Sequence, residues 1–204
     1  RKEDGSSRIL GIWDQTLETG APDPVTGFQA LYGTQYSREE IDQALAAPDP
    51  LALVPSADEN GHGTFLASVA AGGEDPDQDF TGAAPRASIA MVKLKPAKAY
   101  LRDFYLIREG ADAYQENDIM MGVAYLLHLA RRFSMPLVIC LGLGTNQGSH
   151  VGKSPLGLYL DDINIYAGTA VITAAGNETG YGHHYRAVTR PEETLQTVEL
   201  NVGE

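Results

Sequence analysis

Three polar side chains in this sequence have the types and settings that acyl transfer requires. Asp14 follows the apolar run of residues 9–13, His62 stands in Gly61-His62-Gly63-Thr64, and Asn177 ends Ala174-Ala175-Gly176-Asn177. An acid can orient an imidazole, the imidazole can act as a general base, and a carboxamide can donate to a developing oxyanion. These residues therefore predict an acyl-transfer site from which one component, the nucleophile, is absent.

The hydrophobic pattern indicates the elements that position these side chains. Short apolar runs predict strands, and amphipathic stretches predict helices between them. The predicted strands cover residues 9–13, 87–94, 137–141 and 170–174, and the predicted helices cover 38–47, 63–71, 117–132 and 154–168. This alternation predicts an α/β fold with three layers, a parallel sheet with helices on both faces. Ligands of such sheets bind at the carboxyl ends of the strands, where Asp14 and Asn177 stand.

Local signals indicate where several of these elements begin and end. Ser37 and Glu40 form a capping box, and Asn117 or Asp118 is expected to cap the third helix. Small residues after His62 would let its helix pack closely on a sheet. Residues 15–36 and 95–116 are expected to be irregular, and the alternation over 194–202 predicts a half-exposed antiparallel strand.

The composition excludes several classes of protein. The 204 residues are 43% hydrophobic, which is enough for a core, so the chain is not a disordered tail. The formal net charge of −12 argues against a nucleic-acid surface or an anionic-membrane binder. The single cysteine, Cys140, excludes an internal disulfide and an all-cysteine zinc site. Cys140 is expected to pack inside a buried strand rather than to act as a nucleophile.

Because the chain begins without Met or an apolar signal core, we expect that it has been trimmed.

The motifs resemble those of the subtilisin-like serine proteases in the chain order Asp, His, Asn. The likeness includes the strand before Asp14, the His62 helix, Gly82-Ala83-Ala84-Pro85 and the Ala-Ala-Gly-Asn motif. Gly144-Thr145-Asn146, then Gly148-Ser149-His150, and the pair His183-His184 are most similar to the clostridial branch that includes the spore-germination subtilases.

The resemblance implies a role for each matching residue. Asp14 would be the orienting carboxylate, His62 the general base and Asn177 the oxyanion donor. The pocket for the residue before the scissile bond would have two walls, formed by the substrate-binding residues Leu143 and Gly144 on one side and Ala174, Ala175 and Gly176 on the other. The resemblance further implies a peptide or protein substrate and an extracellular or spore-associated location, while the compartment stays open.

Two departures from the family pattern affect this reading. Gln15 and Thr16 follow the acid where the family has Ser or Thr and then Gly. The nucleophile motif Gly-Thr-Ser does not occur, and no serine follows Asn177. We therefore expect residues 1–190 to be the N-terminal portion of a catalytic domain and 191–204 to begin a following strand or an inserted β-domain. The serine would come from the missing C-terminal part of the same chain, and this fragment alone would be inactive.

Other interpretations remain open at this point. A catalytically silent subtilase acting as a binding or regulatory protein is the main alternative, and a nucleotide-binding protein with a loop at Gly142-x-Gly144-x-x-x-Gly148 is another. No cofactor is expected. Asp75-x-Asp77-x-Asp79 could hold a structural calcium, although Phe80 stands where an EF-type loop needs Gly. A zinc site at His183 and His184 would need further ligands.

Overall fold

A computed structural model describes residues 1–2, 4–18, 28–188, 190–192 and 195–199. Strands and helices alternate along most of this part of the chain. The strands are β1 Ile9–Asp14, β2 Thr34–Ser37, β3 Ile89–Lys93, β4 Leu137–Leu141 and β5 Thr169–Thr173. The helices are α1 Arg38–Ala46, α2 His62–Ala71, α3 Ala99–Phe104, α4 Glu116–Arg132 and α5 Pro155–Asn164, and a short 3₁₀ helix covers Pro50–Ala52.

The strands form two hydrogen-bonded sheets within the described residues. β1 pairs in parallel with β3, placing Asp14 opposite Lys93, and β2 adds an antiparallel edge to β1. β4 and β5 pair in parallel as a separate sheet, with Leu141 opposite Thr173. The predicted parallel strands are thus confirmed, but one strand is antiparallel, and the described residues form two sheets rather than one continuous sheet.

Helices cover both faces of the first sheet, as the pattern predicted. Successive residues of β1 pack on opposite faces of the sheet. Ile12 packs with Tyr36 of β2 and Ile41 of α1, whereas Trp13 packs with Tyr125 and Leu129 of α4. The approach of α4 is close. A methyl group on Gly11 would lie 2.6 Å from the Tyr125 hydroxyl oxygen, so any other residue there would force the fully buried Tyr125 ring to move.

Among the described residues, the second sheet is covered on one face only. Ile139 of β4 is buried with Val123 of α4 and Ile163 of α5. The alternate residues Val138 and Cys140 are exposed. The expectation that Cys140 is buried is therefore wrong, because successive side chains of a strand point to opposite faces and only one face of β4 is packed in the described residues.

Several predicted boundaries need correction. β2 and α3 lie in segments expected to be irregular, and α5 ends at Asn164 rather than at 168. α4 begins at Glu116 after Gln115, and neither Asn117 nor Asp118 caps it, since the Asp118 carboxylate binds Lys95 instead.

Two further expectations concern α2 and the end of the chain. The close packing of α2 on a sheet is not observed, because none of its residues is buried. Of the strand predicted over 194–202, residues 195–199 form no strand and the others lie outside the described residues. No helix in the described ranges is both long and apolar enough to cross a membrane.

Candidate active site

The carboxylate of Asp14 is fully buried at the end of β1 and is bound by hydroxyl and amide donors. Its Oδ1 accepts from the Thr16 backbone N–H at 2.8 Å and the Thr16 hydroxyl at 2.5 Å, and its Oδ2 accepts from the Ser56 hydroxyl at 2.7 Å. A buried carboxylate is costly unless such donors replace water. Thr16 thus supplies the local bonds at a position where the sequence departs from the family pattern.

Lys93 supplies the positive charge nearest to Asp14. It ends β3, the parallel neighbour of β1, so its ammonium reaches the same sheet edge and lies 3.8 Å from Asp14 Oδ2. The ammonium also donates to the carbonyl of Ala57 at 2.8 Å. Sequence reasoning missed Ser56 and Lys93. The position of Lys93 at the end of a strand was the one available signal for it.

Gln15 belongs to a buried polar network rather than to the Asp14 carboxylate. Its amide donates to the carbonyl of Asp118 at 2.9 Å, and its side-chain oxygen accepts from the Lys95 backbone N–H at 3.3 Å. Lys95 Nζ lies 2.6 Å from Asp118 Oδ1, to which the Tyr32 hydroxyl also donates at 2.7 Å. Burial raises the pKa of Asp118, but the bonds from Lys95, Tyr32 and Gln115 outweigh it and hold the pKa below its ordinary value.

His62 is the first residue of α2, and a carboxylate outside the helix organises this helix start. Asp58 accepts from the Gly61 N–H at 2.9 Å, the Thr64 N–H at 2.8 Å and the Thr64 hydroxyl at 2.7 Å. These bonds, those from Thr64 foremost, lower the pKa of Asp58 to about 2. Gly61 has a φ of 83°, which glycine adopts without strain. Sequence reasoning missed Asp58, although an acid before a helix start is a recognisable capping signal.

The imidazole of His62 lies next to Gly142, directly after β4. A methyl group on Gly142 would lie 3.4 Å from His62 Cε1 and 2.1 Å from Leu66 Cδ1, so α2 lies against this glycine. Within the described residues no hydrogen bond or ion pair joins His62 to Asp14, whose Oδ2 is held by Ser56. The side-by-side arrangement expected for the two is not formed here, and their assignment to a triad stays a prediction.

The two predicted pocket walls leave neighbouring strands at one edge. Leu143 and Gly144 follow β4, and Ala174, Ala175 and Gly176 follow β5. The Ala174 N–H donates to the Leu141 carbonyl at 3.3 Å, which extends the strand pairing to the start of the walls. Asn177 comes next and is exposed, and its carboxamide makes no hydrogen bond within the described ranges. This donor is therefore available to an oxygen of a bound molecule.

A cluster of Asn146, Glu178 and His183 connects the loops that follow these walls. Glu178 Oε2 accepts from Asn146 Nδ2 and lies 2.8 Å from His183 Nδ1, and Asn146 Nδ2 lies 3.2 Å from the same nitrogen. The bonds from Asn146 and then His183 lower the pKa of Glu178. The sequence had marked Asn146 as a sign of resemblance and His183 as that and as a candidate zinc ligand, because their contact with Glu178 is not visible in a linear pattern.

The metal sites considered from the sequence are not assembled. Asp75 closes a tight turn, in which its side chain accepts from the backbone N–H groups of Asp77 and Gln78. His183 pairs with Glu178, and the ring of His184 stacks on that of His150 at 5.6 Å. Across the described part of the chain, no group of three or more His, Cys, Asp or Glu side chains is arranged to hold a metal ion.

Two comparisons with known proteins bear on this site. Residues 32–199 match the model of the Subtilase family, Peptidase_S8. The structure is also similar to the solved structure of the Clostridium perfringens CspB protease, with a TM-score of 0.69 and 30% sequence identity. The similarity covers 87% of this chain and 33% of that one, so the chain spans about a third of the length of this neighbour.

Proposed function

Because the chain belongs to the subtilase family, we propose that the protein containing it is a serine endopeptidase that hydrolyses peptide bonds. The family and the clostridial neighbour agree with the resemblance drawn from the motifs. One observation carries the proposal: residues 143–144 after β4 and 174–177 after β5 leave neighbouring strands at one edge, and the His62 imidazole lies beside Gly142 there. The Asn177 carboxamide makes no hydrogen bond within the described residues.

In this proposal each residue acts at a defined step of acyl transfer. His62 takes the proton of the serine hydroxyl as the hydroxyl oxygen attacks the peptide carbonyl, and later gives a proton to the leaving amine. Asp14 holds the imidazole tautomer and balances the imidazolium charge. Asn177 donates to the carbonyl oxygen when it becomes an oxyanion, which is where a donor accelerates the reaction.

The serine is proposed to come from a C-terminal part of the same protein, since the 204 residues contain no Gly-Thr-Ser motif. The exposed apolar side chains of three elements support this proposal. Phe65 and Val69 of α2 are 64% and 47% exposed, and Val138 of β4 and Ile172 of β5 are 70% and 56% exposed. Surfaces of this kind mark places where further protein packs.

A silent subtilase that binds rather than cleaves is the second candidate. The observation that favours it is the state of the Asp14 carboxylate, which is bound by Ser56 and lies near Lys93 with no bond to His62. In a silent protein these contacts would be permanent.

Peptide hydrolysis by the full-length protein tests the two candidates. The serine endopeptidase predicts cleavage that is abolished in His62→Ala, strongly reduced in Asp14→Asn and blocked by a fluorophosphonate. Ser88→Ala is a control, because Ser88 is exposed and makes no side-chain hydrogen bond within the described residues. Full activity in His62→Ala would contradict the proposal, and absence of cleavage by the parent protein on a broad peptide library would favour the silent candidate.

A further inference from the structure

We propose that the cluster of Asn146, Glu178 and His183 is a clasp that positions the oxyanion donor against the opposite pocket wall. The role of the clasp rests on the proposed function. The existence of the clasp is tested without it. Asn146 lies two residues after Gly144, and Glu178 directly follows Asn177. The clasp therefore joins the two loops next to the residues that would bind the substrate and its oxyanion.

The loops need such a connection because they have few other contacts. The last backbone bond between them in the described ranges is the one from Ala174 to Leu141, at the strand ends. Beyond it, the connections are made by side chains: the clasp itself and the stack of His150 on His184. The ring of Tyr181 stacks on His183 at 5.7 Å and an interplanar angle of 30°, which braces the imidazole of the clasp.

The chemistry of the clasp depends on which group donates and which accepts. The Asn146 amide nitrogen is a donor only, and Glu178 Oε2 accepts from it and faces His183 Nδ1. His183 and Glu178 side chains are 49% and 51% exposed, so their pairing adds little to global stability. Its effect is local: it determines where the backbone of residue 177 lies relative to residues 143 and 144.

The polarity of the pair allows an exchange test. Asn146→Asp places two carboxylates against each other and should open the clasp. Glu178→Gln added to Asn146→Asp restores an amide and a carboxylate with exchanged roles, and should close it again. A role in general folding would not predict this rescue. Gln147→Ala is the matched control, because Gln147 lies in the same loop and its side chain makes no hydrogen bond within the described residues.

Hydrogen exchange in the full-length protein measures the clasp whether or not the protein cleaves peptides. We expect Asn146→Asp to raise exchange at least threefold in both 142–152 and 174–185, with α1 unchanged, and the double variant to return both loops toward the parent rates. An unchanged rate in either loop, or a double variant as fast as the single one, would overturn the clasp.

Steady-state kinetics then tests what the clasp positions. In a cleaving parent, Asn146→Asp should lower kcat about tenfold while KM stays within threefold, and the double variant should recover most of kcat. A loosened loop pair with an unchanged kcat would overturn the positioning role. If the parent protein does not cleave peptides, the serine endopeptidase proposal fails, and the positioning role fails with it. The exchange rates still decide whether the clasp exists.

Discussion

At the scale of single residues, the most constrained group of the site is the Asp14 carboxylate. It is fully buried, and its oxygens accept hydrogen bonds from Thr16 and Ser56. Its negative charge also raises the pKa of Tyr36, although burial of that ring is the larger cause. Each of these hydrogen bonds replaces one that the carboxylate would make to water, so each contributes to stability as well as to orientation.

Removing the Ser56 hydroxyl is expected to destabilise the protein. Ser56→Ala leaves Asp14 Oδ2 without its 2.7 Å hydrogen bond, and the loss of a bond to a buried charged group costs about 1.5–3 kcal/mol. Urea denaturation at pH 7 measures the change, with Ser88→Ala as the exposed control. A loss below about 0.5 kcal/mol would show that Lys93 or water replaces the hydroxyl.

Removing the Asn177 carboxamide is expected to affect the chemical step alone in an active full-length protein. The amide meets a charge that exists only in the transition state, so Asn177→Ala should lower kcat by about a hundredfold or more and leave KM within a few fold. The size of the loss is that known for subtilisin itself. Steady-state kinetics on a peptide substrate measures it, and a loss confined to KM would make Asn177 a substrate contact.

At the scale of elements, α2 shows how a helix start controls the place of its first side chain. Gly61 provides no side-chain cap, so Asp58 binds the N–H groups of Gly61 and Thr64 from outside the helix. A negative charge at this end is also favoured by the helix dipole. The position of His62 therefore depends on a carboxylate four residues before it.

Asp58→Asn is expected to weaken α2 in a pH-dependent manner. The pKa of Asp58 is lowered from 3.8 to about 2 in the folded protein. A lowered folded pKa means that the folded state favours the carboxylate, so the stabilisation is complete above about pH 4 and is lost as the pH falls toward 2. The difference between parent and variant in urea denaturation should be about 1 kcal/mol at pH 6 and should shrink toward zero as the pH falls through 2. A difference that stays constant across this range would contradict the capping role of the charge.

At the scale of the whole molecule, the chain has one packed half and one exposed half. α1 and α4 enclose the first sheet, whereas α2 has no buried residue and β4 and β5 expose Val138, Cys140 and Ile172. Asp14 lies in the packed half, whereas His62 and Asn177 lie in the exposed half. We propose that a C-terminal segment covers the exposed half and brings the proposed serine to His62.

The reactivity of Cys140 tests whether a C-terminal segment covers the exposed face of β4. In the 204-residue chain its thiol is exposed on β4, so we expect rapid alkylation by a maleimide. In the full-length protein the same residue should react at least tenfold more slowly, because the C-terminal segment would pack on that face. Mass spectrometry of the peptide containing Cys140 measures both rates after equal times. Equal rates in the two proteins would show that this face stays open.

The isolated chain is also expected to resist a serine-directed label. It contains no serine after Asn177, so a fluorophosphonate should label the full-length protein and leave the 204-residue chain unlabelled. Heat-denatured full-length protein is the control for nonspecific reaction. Labelling of the short chain at a residue that peptide cleavage requires would contradict the proposed origin of the nucleophile.

The sequence by itself determined the family, the α/β class and the elements whose signals are local. The capping box of Ser37 and Glu40 joins residues three positions apart, and apolar runs mark β1, β4 and β5. The tertiary structure decided what lies far apart in the chain. Ser56 is 42 residues from Asp14 and Glu178 is 32 from Asn146, so no local pattern predicts these bonds. The exposure of Cys140 has the same cause. A strand's own pattern shows that it is apolar, but only the neighbouring elements decide which of its faces is covered.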